Sequence, residues 1–277
     1  MTFRPGAKFD PSQVQDRRGR GMGGAGPVIA GGGGIGLILM LAIVLLGGDP
    51  TQLLQPTGGV EGYENAPSAQ ECDTAEEANT RDDCRVVGFV NSVQAYWTEE
   101  FGRRGMTYRE AQTVLFSGYV EAECGTASSA QGPFYCPLDE KVYLDLKFFE
   151  DLRARFGARG GPFAEAYVIA HEYGHHVQHV LGGLEGGSSI PIELQADCLA
   201  GVWIHHASAT GFLEQPSDAD LAAALDAAAA VGDDRIQQET QGRVTPESWT
   251  HGSSEQRMEA LRTGMRTGDL ASCPVVR

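Results

Sequence analysis

The chain of 277 residues is long enough for one or two domains and carries a formal charge of −16 at pH 7. Residues 1–27 hold Arg4, Lys8, Arg17, Arg18 and Arg20 against Asp10 and Asp16, a net of +3, so the remainder carries −19. An acidic body of this kind excludes a general attraction to nucleic acid or to anionic membrane surfaces.

In chain order, residues 1–27 read as a basic tail. Residues 28–48 contain no charged side chain and include the apolar run 35–46. This segment is long enough to span a bilayer core of about 30 Å. The basic flank before it predicts a cytoplasmic N-terminus. The length of that flank and the lack of a small-x-small cleavage site favour an anchor over a cleaved signal. The expectation is a single-pass cell-membrane protein held to the lipid bilayer by this helix, its body extracytoplasmic. Residues 49–70, rich in Gly, Pro, Thr and Gln, read as a linker, which leaves 71–277 as the folded domain.

All six cysteines, Cys72, Cys84, Cys124, Cys136, Cys198 and Cys273, follow the apolar run. An even count fits three disulfides in an oxidising compartment. Six cysteines allow about 15 pairings; short loops favour Cys72–Cys84 and Cys124–Cys136, leaving Cys198–Cys273. Asp83 to Phe101 reads as a helix with a wide apolar stripe from Val86 to Trp97. Tyr108 to Phe116 adds a second apolar stretch. Val142-Tyr143-Leu144-Asp145-Leu146 reads as a strand, and Phe148 to Phe156 as a short helix.

A longer helix is predicted over about residues 162–181. Pro162 suits its first turn, Phe163, Tyr167, Ala170, Val177 and Leu181 recur at helical spacing, and Gly182-Gly183 stop it. It carries His171-Glu172-Tyr173-Gly174-His175. Histidines four apart share one face, one turn apart, and can hold one zinc ion with bonds of about 2.0–2.1 Å. Glu172 lies about 100° around the helix, off the metal but within reach of a water there, where a general base belongs. Gly174 weakens the helix relative to alanine; a close approach over the metal, or packing against a neighbouring helix, accounts for it. The longer metzincin pattern is excluded, because Gln178 and Leu181 stand where it needs glycine and histidine.

A third ligand is required. Beyond the Gly/Ser loop 182–189, Ile192 to Gly201 reads as a second helix with Glu193 and Asp197 again four apart. Two carboxylates on one face of an apolar helix need a positive partner. Glu193 is assigned as third ligand, and Asp197 as acceptor for the free ring N–H of His171 or His175. His179 continues the histidine face, but three ligands already leave water the fourth position. His205 and His206 suit a helix C-terminus. Helices follow over Asp218–Val231, Asp233–Thr240 and Ser254–Arg262, the last capped by Ser253 or Ser254.

His-Glu-Tyr-Gly-His-His-Val-Gln (171–178) and Glu-Leu-Gln-Ala-Asp-Cys-x-Ala-Gly (193–201) resemble the bacterial "putative neutral zinc metallopeptidase" family, of the thermolysin-like gluzincin type. Gly132 to Pro137 with Val142 to Asp145, and Thr250 to Arg257, match it too, so the similarity covers about residues 66–277. It implies a zincin fold in which an edge strand pairs with bound peptide, here Val142, Tyr143, Leu144 and Asp145. It also implies a residue that stabilises the tetrahedral oxyanion, here His251.

The sequence thus predicts an α+β, mainly helical zincin-like domain with a small sheet, preceded by one transmembrane helix. Its expected activity is hydrolysis of peptide bonds in a peptide or protein substrate, with Zn2+ as cofactor and Glu172 as base. The alternatives are a zinc-stabilised envelope binding or assembly module without turnover, and a zinc hydrolase acting on other bonds.

Overall fold

The structure, a computed structural model, describes residues 2–19, 68–184 and 189–274. Residues 2–19, expected as a separate tail, are built into the body. Phe3 is fully buried against Phe9 and Phe89 and forms an antiparallel bridge with Leu213. Gly88 leaves the room, since a Cβ there would collide with the Phe3 ring. Strand β1 (Val14–Asp16) pairs parallel with β2 (Gln112–Phe116). Beyond it, buried Arg18 bridges Asp16 at 2.6 Å and Asp83 at 2.8 Å, and Arg81 reaches Asp83 at 2.9 Å.

This arrangement corrects the membrane topology. The Ala69 N–H donates to Asp16 at 2.9 Å, so the chain leaves and re-enters the same patch of one folded body. A single span between residues 19 and 68 would place the two flanks on opposite sides of a membrane, which one shared core forbids. No described helix is long and apolar enough to cross a membrane. The expected transmembrane helix, the single-pass localisation and the cytoplasmic N-terminus fall together. The run 28–48 and residues 49–67 of the expected linker 49–70 lie outside the described residues.

The fold is mainly helical with small sheets. Strands β3 (Tyr119–Ala122) and β4 (Gly125–Ser128) form a hairpin, while β5 (Phe134–Cys136) and β6 (Lys141–Asp145) complete a second sheet in the order β1-β2-β6-β5. Only β5 is antiparallel to its neighbour. The helices are α1 (Ala75–Ala78), α2 (Asp82–Arg103), α3 (Lys147–Ala154), α4 (Pro162–Val180), α5 (Ser189–His206), α6 (Asp218–Ala230), α7 (Asp233–Gln241) and α8 (Ser254–Thr267). Pro162 opens α4, and Gly182, at φ 75°, closes it as only glycine does without strain.

Helix α4 is buried along most of its length. Its crossing with α5 is close: a Cβ on Gly174 would sit 2.8 Å from the Ala196 carbonyl oxygen, so helix packing is the reason for that glycine. The α5–α8 crossing is tighter, because Cβ atoms on Gly201 and Gly264 would strike the opposing backbones. Disulfides join Cys72–Cys84, Cys124–Cys136 and Cys198–Cys273, the pairing that short loops favoured. The last fastens α5 to the C-terminal segment after α8.

Candidate metal centre

Helix α4 supplies His171, Glu172 and His175; α5 supplies Glu193 and Asp197. His171 Nε2 lies 3.1 Å from Glu193 Oε2, and His175 Nε2 lies 3.5 Å from Glu193 Oε1. The ligand atoms of these three residues all fall within 4.8 Å of one another. A tetrahedral zinc with bonds of about 2.0–2.1 Å separates its ligand atoms by about 3.3–3.4 Å, so the spacing fits such an ion. His179 is not in this group.

Both imidazoles are oriented from behind. His171 Nδ1–H donates to Asp197 Oδ1 at 2.8 Å. His175 Nδ1–H donates to Gln178 Oε1 at 2.8 Å, and the Gln178 amide nitrogen is itself held by the Ile192 carbonyl at 2.7 Å and by Gln195 at 2.8 Å. Each ring therefore keeps its Nε2 lone pair for the shared point.

Asp197, fully buried, also accepts from Tyr167 OH at 2.6 Å and from Arg257 Nε at 2.8 Å and Nη2 at 3.0 Å. Arg257, on α8, and Gln178 received no role from the sequence. Gln178 sits three residues after His175, a helical spacing that makes the contact legible in retrospect. Arg257 ends the family-like segment 250–257, which marks the residue without naming its partner.

The electrostatics call for a cation. Glu172, Glu193 and Asp197 bring three carboxylates against one guanidinium, Arg257, within a buried cluster. Burial would raise Glu193, but His175 and His171 hold it well below the usual carboxylate range. Burial opposes Asp197 too, yet Arg257 and His171 hold it at about 2. His171 shows the same demand from the other side: burial lowers it, but Asp197 and Glu193 raise it to about 10. A divalent cation would balance the excess. Glu172 behaves differently, for burial pushes its carboxyl up and His171 and His175 offset only part.

His251 is about half exposed, with its side chain 49% accessible. Its turn is built by Asp233, whose Oδ2 accepts the backbone N–H groups of Thr250, His251 and Gly252 at 2.7–2.9 Å. Asp233 Oδ1 faces His251 Nδ1 at 3.3 Å. Burial lowers the imidazole, but Asp233 and the Glu193 charge raise it, so His251 feels the carboxylate of the centre.

The strand expected to bind substrate is elsewhere in the sheet. β6 pairs with β2 on one side and β5 on the other, and Val142, Tyr143, Leu144 and Asp145 are buried. β5 covers only Lys141 to Tyr143, so the expected edge is not offered at Val142 and Tyr143, while Leu144 and Asp145 pair with β2 alone. Asp145 accepts from the N–H groups of Lys147 and Gly118 and from the Ser129 hydroxyl, as a loop anchor does. The edge is β5. Its Tyr135 hydroxyl meets His179 Nδ1 at 2.7 Å and His176 Nδ1 at 3.0 Å, fastening the edge strand to α4.

Comparison with known proteins adds relatives without assigned activity. A model of the family described as "Putative neutral zinc metallopeptidase" matches residues 1–276. An uncharacterized protein of Mycobacterium tuberculosis, and another of Mycobacterium bovis, are 48% identical over 248 residues, covering 83% of this chain and 83% of theirs. The uncharacterized protein YpfJ of Escherichia coli is 39% identical over 284 aligned positions, with 95% of each chain covered. No solved structure matches.

Proposed function

The chain belongs to the family described as "Putative neutral zinc metallopeptidase", and from that premise we propose that it is a zinc-dependent peptidase acting on peptides or proteins. His171, His175 and Glu193 hold the ion. Zinc bound there supplies Lewis-acid polarisation of water and of the scissile carbonyl. Glu172 takes a proton from the attacking water on its carboxylate, and burial, by raising its proton affinity, suits it to keep that proton for the leaving amine. Asp197 and Gln178 keep both histidines in the ligating tautomer. His251, oriented at Nδ1 by the Thr250 hydroxyl and by Asp233, donates from its outer nitrogen to the oxygen that gains charge. The free edge of β5 receives the substrate backbone as an added strand, with main-chain hydrogen bonds supplying affinity.

The observation that carries this reading is the approach of three donor groups from α4 and α5 to within 4.8 Å of one another, with Glu172 next to His171 on α4. Among the described residues no fourth such group joins the three. A purely structural zinc site closes with four protein ligands, whereas a catalytic one leaves a position for water. The test is zinc content together with peptide-library cleavage by the full chain and by its Glu172→Gln variant. The full chain is needed because residues 2–19 are part of the fold. One zinc in each protein, with cleavage about 10²–10⁴-fold slower in the variant, is expected. Undiminished cleavage by Glu172→Gln would remove Glu172 from the mechanism. A parent without zinc would end the metallopeptidase reading.

A further inference from the structure

Resting on that zinc site, we propose that Arg257 is the positioning residue that presents His171 to the ion, by clamping Asp197 from α8. Its guanidinium is buried and faces five residues. Nε and Nη2 meet the two oxygens of Asp197 at 2.8 and 3.0 Å. Nη2 also meets the Tyr167 hydroxyl at 3.1 Å, lies against the His171 ring at 3.4 Å from Nδ1 and 3.5 Å from Nε2, and is 3.9 Å from Glu193 Oε2. Nη1 donates to the Val231 carbonyl at the end of α6, at 3.1 Å.

Two parallel hydrogen bonds from a planar fork fix the plane of a carboxylate as well as its place. That plane decides where the lone pairs of Asp197 Oδ1 point, and His171 Nδ1–H follows them. The ring in turn aims Nε2 at Glu193. The second histidine is held differently. His175 is oriented by Gln178, a neutral amide three residues along its own helix. His171 is oriented through three helices, by an arginine 60 residues from Asp197. The α5–α8 crossing at Gly201 and Gly264, and the Cys198–Cys273 bond beside Asp197, set the distance over which the guanidinium reaches. Arg257 thus ties the packing of a helix without metal ligands to the geometry of His171, and the orientation of His175 is left to Gln178.

The test compares the parent with Arg257→Lys, which keeps the charge and loses the fork. Zinc dissociation constants are measured by chelator competition, and visible absorption is recorded on the Co2+-loaded proteins. Arg257→Lys is expected to bind one zinc 10–100-fold more weakly, the range for residues that orient metal ligands. Its Co2+ bands should change as His171 turns away. Should Arg257→Lys not fold, the paired variant Arg257→Gln with Asp197→Asn strands no buried charge and takes its place, with the same weakening expected. A folded variant with the parent's zinc affinity and Co2+ spectrum overturns this inference alone. A parent that holds no zinc overturns the site reading and this inference with it.

Discussion

The helical half around α4, α5 and α8 and the sheet half around β1, β2, β6 and β5 solve burial in different ways. In the helical half, charged and amide side chains are drawn into the interior, and His171, Asp197, Arg257 and Gln178 are each hydrogen-bonded. In the sheet half, a small apolar cluster of Val114, Phe116, Val120, Cys136 and Tyr143 is held by a disulfide and by an N-terminal segment brought in from far along the chain. Among the described residues, buried side-chain atoms without partners occur at Gln13, Gln94, Tyr96, Tyr108, Ser117 and Asp139, none of them in the α4–α5–α8 network. A fully satisfied polar network specifies one arrangement, whereas apolar packing tolerates small shifts. Geometric precision is concentrated where a metal needs it.

That contrast predicts that damage to the helical half moves zinc affinity, while damage to the sheet half moves stability alone. The largest effect is expected for Gly264→Val. Its side chain would meet the backbone of α5 near Cys198 and Val202, which cannot yield as a side chain can. A loss of more than about 4 kcal/mol is expected by urea unfolding, with weakened zinc binding in whatever folds. Parent-like stability would mean that the helices are not in backbone contact. Phe3→Ala comes next, at about 3–4 kcal/mol for a buried aromatic. Its zinc dissociation constant should stay within about twofold of the parent's, on the additivity of distant sites. Phe3 lies in the apolar core that α4 and α5 share, so a large change there would show that this apolar packing, and not the polar network alone, sets the metal geometry.

Acid titration sharpens the comparison at the Arg18 clamp. Burial raises Asp16 and Asp83, but hydrogen bonds from Arg18 and Arg81 outweigh it and hold both below the ordinary carboxylate value. A depressed carboxyl stabilises the fold above its unfolded pKa of about 3.9 and stops doing so as pH falls through its folded value. The stability gap between the parent and Arg18→Gln should therefore be full at pH 7 and shrink below about pH 4. Urea midpoints at several pH values measure it. A gap independent of pH would show that Arg18 acts by packing and not by charge.

Legibility followed locality. His171 and His175, like Glu193 and Asp197, lie four residues apart, and that spacing alone put each pair on one helix face. The helix bounds 162–181 anticipated Pro162–Val180 because proline and glycine mark both ends. Contacts across sequence left weaker traces. Arg257 closes the family-like segment 250–257, but nothing in that segment names its partners, which become neighbours only when α8 crosses α5. Val14, Gln15 and Asp16 are too few to display a strand's alternation, and the basic residues around them suggested a tail. The position of β6 was partly written in its composition. Val142, Tyr143 and Leu144 are consecutive and all buried, the mark of a strand covered on both faces. That run argued for an interior strand against the edge suggested by resemblance.

The smallest effect is expected where the halves meet. The His176 ring is buried, and its Nε2–H donates to the Arg109 carbonyl, which can only accept. Its Nδ1 must then accept, so the Tyr135 hydroxyl donates to His176 and receives the Nδ1–H of His179. Tyr135→Phe keeps the ring contacts and strands a buried acceptor on His176, at a cost of about 1–3 kcal/mol. Zinc affinity should not change, because neither histidine ligand touches Tyr135. With a peptide substrate, KM should rise more than kcat falls, since β5 loses its fastening to α4 while Glu172 and the metal ligands stay in place. Unchanged KM with lowered stability would leave Tyr135 as a brace only. A fall in kcat alone would place its hydroxyl at the reacting carbonyl, and the hydrogen-bond directions assigned here would then be reversed.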